Sequence, residues 1–240
     1  MNPIVLIPAR LAATRLPGKP LADIGGVPMI VRVLRQAQAA GVGPVAVAAG
    51  DSAIVEAVEA AGGRAVLTDP DLPSGSDRIL AALSVLDPER RHDVVMNLQG
   101  DMPFVDPQVV RACARMLADN PACDIATLVA PESSPADRAN PDVVKAVIAA
   151  GGRALYFTRS TLYGDAPIWR HIGIYGYRRA ALEAFNAAAP SPLEQREKLE
   201  QLRAMELGLS IWAAVATDAP ISVDNPSDLE RAREFAKVVS

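Results

Sequence analysis

Short apolar runs alternate with amphipathic helical patterns over the first half of this chain, and that alternation restricts the fold more than any other feature. Pro3 to Ala9 holds Ile4-Val5-Leu6-Ile7, a continuous apolar run of the kind carried by a buried strand. Pro28 suits the first turn of a helix with Ile30, Val33, Leu34 and Ala37 on one face, and Gly41 ends it. Val45 to Ala49 reads as the next strand. Ser52 can cap the helix behind it, which Gly62-Gly63 closes. Val66 to Thr68 is a third strand, a helix around Asp77 to Leu86 follows, and Asp93 to Leu98 is a fourth strand. Asp106-Pro107 caps and opens a helix ending near Asp119, and Ile125 to Val129 is a fifth strand. Such a strand-helix repeat predicts an α/β fold with a doubly wound, mostly parallel sheet and helices on both faces.

The second half changes character. Val143 to Ala149 and Arg153 to Thr158 flank Gly151-Gly152 and read as two strands around a tight turn. His171 to Arg178 is another strand. Ser191-Pro192-Leu193-Glu194 is a capping box with proline at the first helical position, opening a helix to about Leu207. Ile211 to Ala216 is a strand, and Asn225-Pro226 starts the last helix. No repeat, low-complexity tract or linker interrupts the chain. A single domain is expected, with a small subdomain between residues 130 and 190.

Composition removes several function classes. The chain has 240 residues, half of them hydrophobic, which suffices for a sizeable core without metals or disulfides. Its net charge is −4 with no basic block, which argues against nucleic acid as a partner. No apolar run approaches the length that spans a bilayer, so no membrane partner is expected. The N-terminus enters a strand at once and lacks a signal-peptide layout. Cys113 and Cys123 make neither a disulfide framework nor a zinc site. A soluble cytoplasmic protein is the expectation.

In doubly wound sheets, ligands bind beyond the carboxyl ends of the strands. That rule selects Arg10 to Pro20, Thr68 to Arg78 and Gln99 to Phe104. The first loop carries Arg10, Arg15 and Lys19 in ten residues, which suits a polyphosphate; the alternative is a solvated surface loop. It lacks the Walker A spacing and the dinucleotide fingerprint. Asp101, beside Gly100, can hold a magnesium ion against substrate phosphates, or be a turn aspartate. Asp224 stands just outside the last helix, free to point at the same metal or to favour the helix dipole. Ser74-Gly75-Ser76-Asp77-Arg78 contains a helix cap and can receive a ligand edge. Period-two alternation puts His171, Gly173 and Tyr175 on one strand face. With Arg159 they can read a sugar acid, although a lone histidine is more often a satisfied half-buried one.

Taken together, Ile7-Pro8-Ala9-Arg10 through Leu21, Gln99-Gly100-Asp101, Ala154 to Arg159, His171 to Arg178, Ser191 to Glu194, Leu199-Glu200-Gln201-Leu202-Arg203 and Val223-Asp224 strongly resemble the 3-deoxy-manno-octulosonate (Kdo) cytidylyltransferase family. The resemblance runs nearly end to end. It implies the nucleotide-diphospho-sugar transferase type of sheet with a small β-rich dimerisation subdomain. The nucleotide part would lie at about 1–130, the sugar-acid and dimer part at about 131–215, and a metal loop and helix at 216–240. Arg10, Lys19, Asp101 and Asp224 would be catalytic. Arg10, Arg15, Lys19, Ser74, Gly75, Arg78 and Asp101 would bind CTP. Asp101 and Asp224 would carry Mg2+. Gln99, Pro141, Arg159, His171, Tyr175, Glu200 and Gln201 would surround the sugar acid. A cytoplasmic homodimer of lipopolysaccharide biosynthesis is implied.

The reaction implied is attack of the anomeric 2-hydroxyl of Kdo on the α-phosphorus of CTP, with pyrophosphate leaving and no covalent enzyme intermediate. Some residues depart from the family pattern. Met102 stands where a glutamate is usual, Ala13 where a serine is usual, and Asn225 where a threonine is usual. The end of the second strand, Ala48-Ala49-Gly50-Asp51, replaces Ala-Thr-Asp, and the 160–170 loop is short. An amino-substituted Kdo or a sialic-acid-like sugar is the alternative substrate. A catalytically silent nucleotide-binding homologue is the alternative of another class.

Overall fold

The fold is described from a computed structural model, over residues 1–12, 15–162 and 164–239. In chain order the elements are β1 (Pro3–Ala9), β2 (Asp23–Ile24), β3 (Val27–Pro28), α1 (Met29–Ala40), β4 (Val45–Ala49), α2 (Ser52–Ala60), β5 (Ala65–Leu67), α3 (Gly75–Leu86), β6 (Val94–Asn97), α4 (Pro107–Asp119), β7 (Ile125–Glu132), α5 (Pro135–Ala139), β8 (Lys145–Ile148), β9 (Ala154–Thr158), β10 (Ile168–Arg178), α6 (Arg179–Ala187), α7 (Pro192–Glu197), α8 (Gln201–Glu206), β11 (Ile211–Val215) and α9 (Pro226–Val239). They gather into two compact units, one of Met1–Arg111 with Pro220–Ser240, the other of Ala112–Ala219. The chain passes from the first to the second inside α4.

In the first unit, β1 pairs in parallel with β4 on one side and β6 on the other, and β4 pairs in parallel with β5. The order β6-β1-β4-β5 reverses direction beside β1. Val5, Leu6 and Ile7 are wholly buried, as expected of a central strand covered on both faces. The parallel sheet and its helices are those expected from the alternation of apolar and amphipathic segments. Gly41 ends α1 in the left-handed conformation, φ 61°, its N–H bonded to Gln38 O. Ser74 caps α3 by accepting from the Asp77 N–H at 3.1 Å.

Three local expectations need correction. Pro28 ends β3 and holds the cap position of α1 rather than its first turn. Ser52 is the first residue of α2 rather than its cap; Asp51 holds the cap position. The Asp51 carboxylate is drawn elsewhere, accepting the Leu11 N–H at 2.7 Å, and so tethers the loop after β1. The helix expected from Ser191 to Leu207 is two helices. The capping box forms as expected, with Ser191 and Glu194 exchanging bonds. Lys198 then turns left-handed, φ 56°, and α8 begins afresh.

In the second unit, β7 lies between β10, antiparallel, and β11, parallel; β8 pairs with both β9 and β10, antiparallel. The β8–β9 turn is the expected one at Gly151-Gly152, with Gly152 at φ 92°. Helices α5 and α6 were not expected. Strand β10 ends at Arg178 as expected and passes straight into α6, but it begins at Ile168 rather than His171.

The last helix belongs to the first unit. Val223, Leu229, Ala232 and Ala236 pack with Ile24 and Met29, and Leu16, Phe104 and Ile221 border them. Asn225 accepts the Asp228 N–H at 3.0 Å, and Asp228 accepts the Asp224 N–H at 3.1 Å. Among the described residues no helix is long and apolar enough to cross a membrane.

Candidate active site

The reversal of strand order beside β1 opens a crevice at the carboxyl ends of β1 and β6, where doubly wound sheets place ligands. A cavity of about 310 Å³ lies there, lined by Pro8 to Arg10, Ala12, Lys19, Pro20, Leu72 to Gly75, Arg78 and Gln99 to Asp101. It comes from the three loops that the strand ends selected. Its volume suits a small organic ligand. Gly100 is required by the packing, because a Cβ there would meet Pro8 O at 2.9 Å.

The loop after β1 is pinned at its base. Gly18, at φ 71°, donates its N–H to Leu11 O at 3.1 Å, and a short 3-10 turn begins at Lys19. That turn aims the Lys19 ammonium at two carboxylates, 3.0 Å from Asp101 Oδ2 and 3.5 Å from Asp224 Oδ1. Arg15 Nη2 stands 3.2 Å from the same Asp224 oxygen. Residues 209 apart in sequence meet because Val223 is buried in the α9 core and donates its N–H to Asp101 O at 2.9 Å. Val223 faces inward, so Asp224 faces outward, beside Asp101. Burial raises the Asp101 carboxyl above the ordinary carboxylate range; Lys19 pulls it back and Asp224 pushes it further up. Ala13, where the family usually has serine, lies outside the described residues. Met102 is buried, so its side chain belongs to the core beneath the loop.

Arg10 and Arg78 both line the cavity. The Arg78 guanidinium is buried and bonded to its own loop, to Thr68 Oγ1 at 2.7 Å, Asp69 O at 2.9 Å and Pro70 O at 3.1 Å. It therefore shapes the wall from within. Ser74 Oγ is engaged by Asp77 and Ser76. Gln99 shares the cavity and donates to Asn97 Oδ1 at 3.4 Å.

Of the residues expected around a sugar acid, Gln99 is in the first unit and the other six are in the second. Arg159 donates from Nη1 to Pro141 O at 2.9 Å. His171 and Tyr175 form part of a line of rings on β10, 5.5 Å between centroids, continued by Phe157 on one side and Tyr177 on the other. A bulge in β10 between Ile172 and Gly176 faces Thr127. Thr127 Oγ1 donates to Ile174 O at 3.0 Å, so the His171 Nε2–H donates to Thr127 at 3.0 Å. This leaves Nδ1 as an acceptor. Burial pushes the imidazole down from 6.5 to about 4, so it is neutral at physiological pH. Burial raises the Tyr175 phenol, with Tyr177 and Glu200 adding to the effect. Gln201 is 8% exposed, and its Nε2 has no hydrogen-bond partner among the described residues. A buried amide of this kind needs an acceptor from solvent or ligand.

Several neighbours of the candidate residues escaped the sequence reading. Thr127 and Lys145 had a signal, being polar residues within apolar strand segments. Asp51 lay in a segment singled out at the end of the second strand, and Glu197 had no signal, since it sits where a surface carboxylate is ordinary.

A parallel sheet with a cation-lined cavity at its strand reversal defines the class, a doubly wound α/β protein with a ligand crevice suited to phosphates. The family model described as cytidylyltransferase matches residues 4–211. A 3-deoxy-manno-octulosonate cytidylyltransferase from Methylobacterium sp. (strain 4-46) is 58% identical, over 97% of this chain and 96% of its own. Another, from Parvibaculum lavamentivorans, is 56% identical over 97% of this chain and 92% of its own. The solved structure of CMP:2-keto-3-deoxy-manno-octonic acid synthetase complexed with CTP superposes with a TM-score of 0.93, at 38% identity, each chain covering 100% of the other. The chain belongs to the 3-deoxy-manno-octulosonate cytidylyltransferase family.

Proposed function

We propose that this chain transfers CMP from CTP to Kdo. The anomeric 2-hydroxyl attacks the α-phosphorus, the new P–O bond forms, and the bond to pyrophosphate breaks. The observation that carries this reading is the meeting of Lys19, Asp101 and Asp224 beside the cavity at the strand reversal. Arg10 and Lys19, with Arg15, hold the triphosphate and stabilise the charge that builds on the departing pyrophosphate. Ser74 and Gly75 border the nucleoside, and Arg78 keeps that wall in shape.

The donor set suits magnesium. Two carboxylates already converge on one cation, the Lys19 ammonium, and both are hard oxygen donors. No cluster of three or more acidic, histidine or cysteine ligands occurs among the described residues. Magnesium commonly uses one or two carboxylates and completes its shell with phosphate oxygens and water. Asp101 and Asp224 would hold it, and it would supply Lewis-acid stabilisation of phosphate charge.

The sugar acid is read by Gln99, Pro141, Arg159, His171, Tyr175, Glu200 and Gln201. Arg159 supplies cationic N–H groups for the carboxylate. Neutral His171 and the Tyr175 phenol suit hydroxyls, and Gln201 has an amide to donate. A homodimer and a role in lipopolysaccharide assembly come with the family resemblance. The test is pyrophosphate release from CTP in the presence of magnesium, with and without Kdo. Release only when Kdo is added supports the reading; release independent of Kdo, or none, refutes it.

A further inference from the structure

Arg159 is gripped along its backbone as well as its side chain. Its N–H donates to Glu197 Oε2 at 3.0 Å, and its C=O accepts from Lys145 Nζ at 3.1 Å. Both peptide groups around its Cα thus end on a charged side chain. Lys145 is 0% exposed, and its ammonium donates also to Asn140 O at 2.6 Å, one residue before Pro141. Glu197 closes α7 and receives the Thr158 hydroxyl at 3.0 Å and the Tyr156 hydroxyl at 3.4 Å. The guanidinium then donates from Nε to Glu197 O at 3.0 Å, from Nη1 to Pro141 O at 2.9 Å and from Nη2 to Lys198 O at 3.4 Å.

Two features exceed what a structural brace needs. A wholly buried ammonium bonded to carbonyls carries a desolvation cost that an apolar side chain of similar volume avoids. The guanidinium has five N–H donors, and three go to these carbonyls. That leaves one N–H on each terminal nitrogen without a carbonyl among the described residues.

We propose that Glu197 and Lys145 are positioning residues that fix Arg159, and through it the carboxylate of the sugar acid. The proposal rests on the reading of Arg159 as a sugar-acid ligand. Lys145 couples Arg159 to the Asn140–Pro141 turn, so two of the expected sugar contacts are held together. Glu197 fixes the strand end from which Arg159 projects, and the helix break at Lys198 supplies the carbonyls that hold its side chain.

The test is a set of steady-state measurements on Arg159→Ala, Glu197→Gln, Lys145→Met and each of the latter combined with Arg159→Ala. Glu197→Gln and Lys145→Met should each raise the KM for Kdo about tenfold, with the KM for CTP within about twofold of the parent. In the Arg159→Ala background each should add less than about twofold, because its effect passes through Arg159. A purely structural role gives the same factor in both backgrounds and overturns the proposal. An unchanged KM for Kdo in Glu197→Gln, when Arg159→Ala loses Kdo, also overturns it and leaves the reading of Arg159 standing. An unchanged KM for Kdo in Arg159→Ala refutes that reading, and the proposal with it. Glu197 is half-buried and its glutamine keeps an acceptor, so the cycle can be completed even if Lys145→Met does not fold.

Discussion

Lys19 is the residue on which the candidate nucleotide site turns. Its ammonium joins two carboxylates that belong to distant parts of the chain, and without a cation there they would repel. Asp101→Asn keeps the shape and removes one charged oxygen donor. It should lower turnover at least about a hundredfold while CTP still binds, measured by pyrophosphate release and by calorimetry. Near-normal turnover in the folded variant would contradict the metal assignment. His171 gives a separate prediction in pH. The unfolded imidazole takes a proton near 6.5 and the folded one only near 4. Between those values the unfolded chain binds more protons, so this residue makes stability fall as pH falls through the window. Urea unfolding at about pH 7 and about pH 4.5 should show a smaller loss for His171→Gln than for the parent. An equal loss would mean that His171 titrates normally. The candidate residues of the loops were legible because they follow recognisable strands or, for Asp224, stand just before a recognisable helix. That Asp224 is free to point toward the same metal as Asp101 was readable too; the Lys19 bridge between them and the packing of Val223 that brings them together were not.

The helix break at Lys198 shows what elements add beyond sequence pattern. Ser191 to Glu194 announces a helix start, and nothing after it announces a stop. The stop comes from a non-glycine residue in left-handed conformation, φ 56°, next to carbonyls that bind Arg159. That conformation costs roughly 1–2 kcal/mol for a residue with a Cβ. Lys198→Gly should therefore raise stability by about 0.5–1 kcal/mol, after the greater freedom of glycine in the unfolded chain is allowed for, as read from urea midpoints. A loss of stability would show that the lysine side chain contributes to the break. Gly50 marks a second contact between elements. A Cβ there would lie 2.8 Å from Arg78 Nη1 and 3.1 Å from Arg10 Cβ, so both arginines of the cavity wall would shift. Gly50→Ala should raise the KM for CTP about tenfold with little change for Kdo, and an unchanged CTP value would show that the wall adapts freely. The strands and most helices were readable because hydrophobic period and caps agree along them. Of the missed pieces, α5 had its own signal in the Ser134-Pro135 cap and α6 in its buried face of Ala181, Leu182 and Phe185, while the β10 bulge depends on its partner Thr127.

At the scale of the whole molecule, the chain is a family member over nearly all its length, and its departures gather near the expected ligands. Met102 is absorbed by the core, which leaves Asp101 and Asp224 as the carboxylates that meet Lys19. The short 160–170 loop follows Arg159 directly in sequence, so the choice of sugar acid is the property most exposed to that departure. Parallel strands and the strand reversal locate the candidate nucleotide cavity whatever the sugar is. In the second unit, part-buried His171 and the Gln201 Nε2, which has no partner among the described residues, are the candidates for that selection. The most direct test is to compare pyrophosphate release from CTP and magnesium with Kdo, 8-amino-Kdo and sialic acid under identical conditions. The account predicts release with Kdo at a kcat/KM at least about tenfold above either analogue. Faster release with an analogue than with Kdo would contradict it.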